Sequence, residues 1–184
     1  MAADAVEELA ALIRERNAID HRIAKIIGRP PVSGHLGDWV AAAIFGIELE
    51  ASATAKAVDG SFKVGPLAGQ TVNIKSYGKQ EGLLDIAEAS VVDYYLVLTG
   101  PTAAAASSRN TTRPWCVNAV YLFNARDLVA EQRDRGVKLG IASSVTKAQW
   151  QRAEIYPAAN QSLPLTSAQV DLLALFHSDR LSLA

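Results

Sequence analysis

AVDGSFKVGPLAGQTVNIK, residues 57–75, reads as a β-hairpin. A strand over Val58–Val64 carries Asp59 into the turn-forming run Gly65-Pro66-Leu67-Ala68-Gly69, and a second strand over Gln70–Ser76 carries Asn73 and Lys75. Side chains alternate along a strand, so Asn73 and Lys75 share one face while Val72 and Ile74 occupy the other. Closing the hairpin brings an acid of one strand toward an amide and an amine of its neighbour. Such a trio has two readings. It can hold a hard divalent cation and activate a water beside it, or it can be the wet face of an ordinary surface hairpin.

Outward from the hairpin, the chain alternates helices and strands. Upstream, Val6, Leu9, Leu12, Ile13, Ile19, Ile23, Ile26 and Ile27 recur at helical spacing, which predicts one long helix over 3–27 that Gly28-Arg29-Pro30-Pro31 ends. Its narrow apolar seam suits packing on the domain body or pairing with a second copy. A second, Ala-rich helix follows from Ser33 as N-cap to Gly46, with Asp38 in its first or second turn, and Ile47–Glu50 is a brief extended piece. Here Asp38 can simply favour the helix dipole, and His35, one turn before it, suits a hydrogen bond at the helix start.

Downstream, Tyr77–Gly82 is a polar loop and Leu83–Glu88 a short amphipathic piece. Val91–Thr99 and Trp115–Phe123 are apolar enough to be central strands, separated by a surface loop over Thr102–Arg113. Asn124 caps a helix over Ala125–Arg135, Val137–Ala142 forms a short strand, and helices cover Thr146–Arg152 and Ser167–His177, the latter with Ser167 as N-cap.

The 184 residues, with 49% apolar and 20% charged, suffice for one domain with a substantial core. A formal net charge of −1 argues against a strong nonspecific nucleic-acid binder, though not against a local basic groove. A single cysteine, Cys116, rules out an internal disulfide and a cysteine-cluster zinc site. No segment approaches the roughly 20 apolar residues of a membrane helix, and the acidic start MAADAVEELAAL lacks the basic opening of a secretory signal. The expected location is the cytoplasm.

The order helix acid, strand acid, NxK resembles the PD-(D/E)xK, or restriction-endonuclease-like, superfamily over roughly Gly34 to Arg135. The resemblance implies an α/β fold with a mixed central sheet flanked by helices. Residues 1–28 would be an N-terminal helix for packing or dimerisation, and residues 29–184 the globular domain. It also implies a Mg2+-dependent nuclease acting on DNA, with Mn2+ as a substitute metal, of the restriction or defence kind. Asp38 would be the helix acid, Asp59 the strand acid, Asn73 the third ligand and Lys75 the catalytic lysine, with the Ile74 carbonyl completing the metal shell. Two departures stand out. Asp38 replaces a longer Glu, and neutral Asn73 replaces an acid or Gln, which Glu81 or Asp85 could make up. Val58 stands where the motif has proline.

Lys56, Lys63, Lys79, Arg109 and Arg113 are the candidate phosphate contacts, with Trp115 placed to stack on a base, though lysines at a sheet edge also serve simply to discourage aggregation. Replacing Asp59 or Lys75 by Ala is expected to abolish cleavage with little change in thermal stability. The competing expectation is a nuclease-fold module that binds DNA or a protein without catalysis.

Overall fold

Two near-continuous apolar runs, one ending at Thr99 and one at Asn124, form the centre of the sheet because strands covered on both faces have no wet side to alternate with. The computed structural model describes residues 2–50, 58–87, 92–103 and 114–181. In order, the elements are α1 (Ala2–Ile27), α2 (Ser33–Phe45), β1 (Ile47–Leu49), β2 (Gly60–Phe62), a 3-10 turn (Gly65–Leu67), β3 (Thr71–Tyr77), β4 (Leu83–Leu84) and β5 (Tyr94–Thr99). These are followed by β6 (Ala119–Asn124), α3 (Ala125–Asp134), β7 (Ser143–Ser144), α4 (Lys147–Ala153), β8 (Glu154–Tyr156), α5 (Ser167–Ala174) and α6 (Ser178–Leu181).

The fold is α/β. A mixed six-stranded sheet runs in the order β1-β2-β3-β5-β6-β8, and β4 pairs with β7 in a small second sheet. β1, β2 and β3 form an antiparallel meander. β5 lies parallel to β3, from Val72↔Tyr94 to Tyr77↔Thr99, and antiparallel to β6. Helices cover both faces. On one, Val40, Ala41, Ile44 and Phe45 of α2 pack with Val72, Ile74, Leu96, Leu98 and Leu122, joined by Leu173 of α5. On the other, Leu128 of α3 and Trp150 of α4 pack with Tyr95, Val97, Tyr121 and Phe123. There the Trp150 ring meets Tyr121 and Phe123 edge-on, at centroid distances of 4.6 and 5.0 Å.

α2 lies close to the sheet because Gly37 has no side chain: a Cβ there would stand 2.5 Å from Ser76 Cβ. Gly46, at φ 64°, ends the helix in the left-handed conformation and turns the chain directly into β1. Asp93 ties the starts of β3 and β5 together, its Oδ2 accepting from both N–H and Oγ1 of Thr71 at 2.8 and 2.7 Å.

Several local readings are corrected. α2 begins with Val32 as N-cap and Ser33 inside the helix, without a side-chain cap. Thr166, not Ser167, caps α5 in a reciprocal arrangement with Gln169, as Thr146 and Gln149 do for α4. Asn124 does cap α3, accepting from Asp127 N–H at 3.1 Å. Residues 137–142 form no strand. Ala142 turns there at φ 56°, and the paired residues are Ser143–Ser144. The segment at 154–156 instead continues the main sheet as β8.

Candidate active site

The hairpin is less symmetrical than its sequence suggests, and the asymmetry leaves a gap in the ladder. β2 pairs with β3 only at Gly60↔Val72 and Ser61↔Thr71, whereas β3 continues alongside β5 to Tyr77. The second half of β3 therefore leaves the flank toward β2 outside any ladder among the described residues. Asp59, just before β2, sits where the two strands part. Its N–H donates to the Val72 carbonyl at 2.9 Å, its carbonyl accepts from Glu50 N–H at 2.9 Å, and its carboxylate Oδ2 accepts from Ile74 N–H at 2.7 Å. The carboxylate thus replaces the backbone acceptor that β2 no longer supplies. One residue's N–H and C=O point to the same side of a strand, so the Ile74 carbonyl faces the same gap.

One step beyond the pair Gly60↔Val72, Asp59 stands level with Asn73. Alternation puts Asn73 and Lys75 on the face opposite Val72 and Ile74, which are buried beneath α2. Asn73 is buried and Lys75 half-buried. Asp38 lies on α2 one residue beyond Gly37, which contacts Ser76 at the far end of β3. Its carboxyl is pushed up from 3.8 to about 6. Burial is the main cause and the charge of Asp59 the next, while His35, Arg29 and Lys75 oppose them. The charges of Asp59 and Lys75 thus both reach Asp38, although α2 and the Lys75 side chain lie on different faces of the sheet.

Arg29 and His35 were not part of the sequence motif, yet both lie near Asp38. The chain turns back at Pro30-Pro31, and the His35 ring Nδ1 lies 2.8 Å from the Pro30 carbonyl. The one-turn spacing of His35 and Asp38 was visible in the sequence. The return of Arg29 was not, because it depends on how α1 and α2 are joined.

The supplementary acids do not converge on the gap. Glu81 is ion-paired with Lys79, and Asp85 Oδ1 accepts from Ala142 N–H at 2.7 Å. Among the described residues no group of three or more His, Cys, Asp or Glu side chains is placed to hold a metal. The available donors are two carboxylates, one amide oxygen and one backbone carbonyl. All are hard oxygen donors of the kind a divalent cation such as Mg2+ takes. The raised pKa of Asp38 reflects burial of its carboxyl first and the charge of Asp59 second.

The candidate phosphate contacts divide. Lys63 is ion-paired with Glu48 at the β1 edge of the sheet, and Lys79, largely buried, is committed to Glu81. Lys56, Arg109 and Arg113 lie outside the described residues. Trp115 is part of the packing: its indole N–H donates to Ser76 Oγ at 3.1 Å, and its ring meets Phe176 edge-on at 5.7 Å. Among the described residues, no helix is long and apolar enough to cross a membrane. Set against known proteins, the chain matches no family model and no curated relative, so the chemistry assigned to this gap rests on its own residues.

Proposed function

We propose that this chain is a Mg2+-dependent endonuclease of the PD-(D/E)xK type that hydrolyses DNA phosphodiester bonds, with the gap between β2 and β3 as its active site. The observation that supports the reading is the Asp59 carboxylate, held at 2.7 Å on the N–H of Ile74 between Asn73 and Lys75, with the Asp59 charge also among the causes that raise the pKa of the helix acid Asp38. The helix-then-hairpin order and the mixed sheet support the same reading.

In this reading Asp59, Asn73 and the Ile74 carbonyl would hold Mg2+, or Mn2+ in its place, with Asp38 as a further oxygen donor. A divalent ion held there would supply Lewis acidity, lowering the pKa of a water and offsetting charge on the phosphodiester. Lys75 orients the attacking water for in-line displacement and neutralises charge that develops on the phosphoryl oxygens. Asp59 is pre-positioned, since its Oδ2 is anchored on Ile74 N–H and its second oxygen is left to the ligand. A restriction or defence role and a cytoplasmic site of action accompany this reading, as does a homodimer.

Incubation of supercoiled plasmid with the protein and 10 mM Mg2+ or Mn2+ tests it. Nicking or linearisation that disappears in Asp59→Asn and in Lys75→Ala is the expected result. Cleavage that survives both substitutions removes the assignment.

A second reading, a nuclease-fold module that binds DNA or protein without cutting, is favoured by one feature. Asn73 contributes no charge, leaving two formal negative charges where the motif ordinarily has three, which weakens the hold on an ion that is costly to dehydrate. Metal-independent DNA binding without cleavage in the same assay supports that alternative.

A further inference from the structure

Among the described residues, α1 carries the largest group of exposed apolar side chains on one element. Val6, Leu9, Leu12, Ile13, Ile19 and Ile26 are all exposed, Val6 and Ile26 by about two thirds (65% and 66%). Only Ile23, Ala24 and Ile27, near the junction with α2, are half-buried among its later apolar residues. A helix of 26 residues is about 39 Å long, at about 1.5 Å per residue. Its first five turns therefore gain almost no tertiary packing from the described residues. Amphipathic helices in proteins draw most of their stability from a packed apolar face.

The charges beside the seam specify what covers it. Leu9, Leu12, Arg16, Ile19, Ile23 and Ile26 recur at alternating steps of three and four, the spacing of a coiled-coil seam. The residues that directly precede Leu9, Arg16 and Ile23 are Glu8, Glu15 and Arg22. These flanking positions are acidic in the first half of the helix and basic in the second. Pairing two copies antiparallel, with Leu12 against Ile23 and Arg16 against Ile19, sets Glu15 of each copy beside Arg22 of the other. Glu8 then lies level with Arg29 just past the helix end. Pairing them parallel sets Glu15 beside Asp20, which repels, and gives Arg22 only Ile27. Arg16, bound to Asp20 of its own helix at 3.5 Å, places one polar residue in the seam, a device that selects a single register.

We infer that α1 is the dimerisation arm of this protein, and that it pairs antiparallel with α1 of a second copy through the Leu9–Ile26 seam, with reciprocal Glu15–Arg22 ion pairs. The two globular bodies then sit at opposite ends of the paired arms. This inference stands on the arm alone and is independent of the chemistry proposed for the gap.

Sedimentation analysis of the full chain, without metal or nucleic acid, tests it. The native protein is expected at twice 19.6 kDa at micromolar concentration. Glu15→Arg and Arg22→Glu are each expected to weaken the dimer roughly tenfold, since each turns two attractive pairs into two repulsive ones. Mixing the two variants, or combining both changes in one chain, is expected to restore native affinity. Both positions are on the helix surface, and unchanged circular dichroism confirms that the variants fold. A native chain that stays monomeric at about 100 µM overturns the inference. So does a Glu15→Arg variant that dimerises as well as or better than native, the result that parallel pairing requires.

Discussion

Replacing Asp38 by Asn removes a carboxyl whose burial and whose neighbour Asp59 both oppose its ionisation. In the folded chain this carboxyl sits at about 6 instead of 3.8, chiefly through burial and next through Asp59. A shift of that size corresponds to about 3 kcal/mol at about 1.4 kcal/mol per pH unit. Asp38 is only half-buried, and solvent screens part of its charge, so about 1 to 1.5 kcal/mol is the expected penalty. The sign follows from proton binding. Between 3.8 and about 6 the folded state holds a proton that the unfolded state has released, so this group's contribution to stability falls as pH rises through that window. Above it the full penalty is present, and below it there is none. Asp38→Asn, nearly isosteric and uncharged, is therefore expected to unfold about 2 to 6 °C higher than native at pH 7.5, on the scale of about 2–4 °C per kcal/mol, with the difference vanishing near pH 4. Thermal scans in metal-free buffer at several pH values measure this directly. Adding Mg2+ should then raise the native melting temperature at pH 7.5 more than that of the variant, because the ion removes the same penalty. A variant that is less stable than native at pH 7.5, or a difference that does not change with pH, refutes the electrostatic picture of the gap.

The structure also revises one expectation about Asp59. Because its carboxylate accepts from Ile74 N–H, Asp59→Ala is expected to cost about 1.5–3 kcal/mol by denaturant unfolding, whereas Asp59→Asn keeps an acceptor and should lose far less. Asn73→Asp adds a third carboxylate at a buried position, so it should destabilise the metal-free protein and recover with Mg2+, at a lower Mg2+ concentration than native needs for the same protection. Gly37→Ala places a methyl 2.5 Å from Ser76 Cβ and is expected to cost about 1–3 kcal/mol. If it leaves the melting temperature unchanged, α2 does not bear on the end of β3 as described.

Much of the architecture was legible because its signals are local. The long helix, α2, the β2–β3 hairpin, the apolar strands β5 and β6 and the Asn124 cap each depend on periodicity, turn residues or a side chain within a few positions of its partner. The boundaries that went astray have local rivals of similar strength, as where Thr166 caps in place of Ser167. β8 escaped because three residues carry too little pattern, and its partner lies elsewhere in the chain, whereas β1 was legible as the extended piece after Gly46. The apparent strand at 137–142 bends at Ala142, beside the Asp85 carboxylate that binds its N–H from far upstream in sequence.

What the amino-acid order alone determined is the inventory: an acid before one strand, an NxK in the next, a second acid on the preceding helix, and an arm with a divided charge pattern. Helical and strand periodicities are properties of neighbouring residues, so they can be read without a fold. Only the tertiary structure decided which of these groups meet. The early departure of β2 from β3, the parallel arrival of β5 and the close approach of Gly37 to Ser76 bring Asp38 within electrostatic reach of Asp59 and Lys75. The same packing pairs Lys63 with Glu48. Contacts of this kind depend on strand order and on the distance between backbones, and neither is carried by residues that are adjacent in sequence.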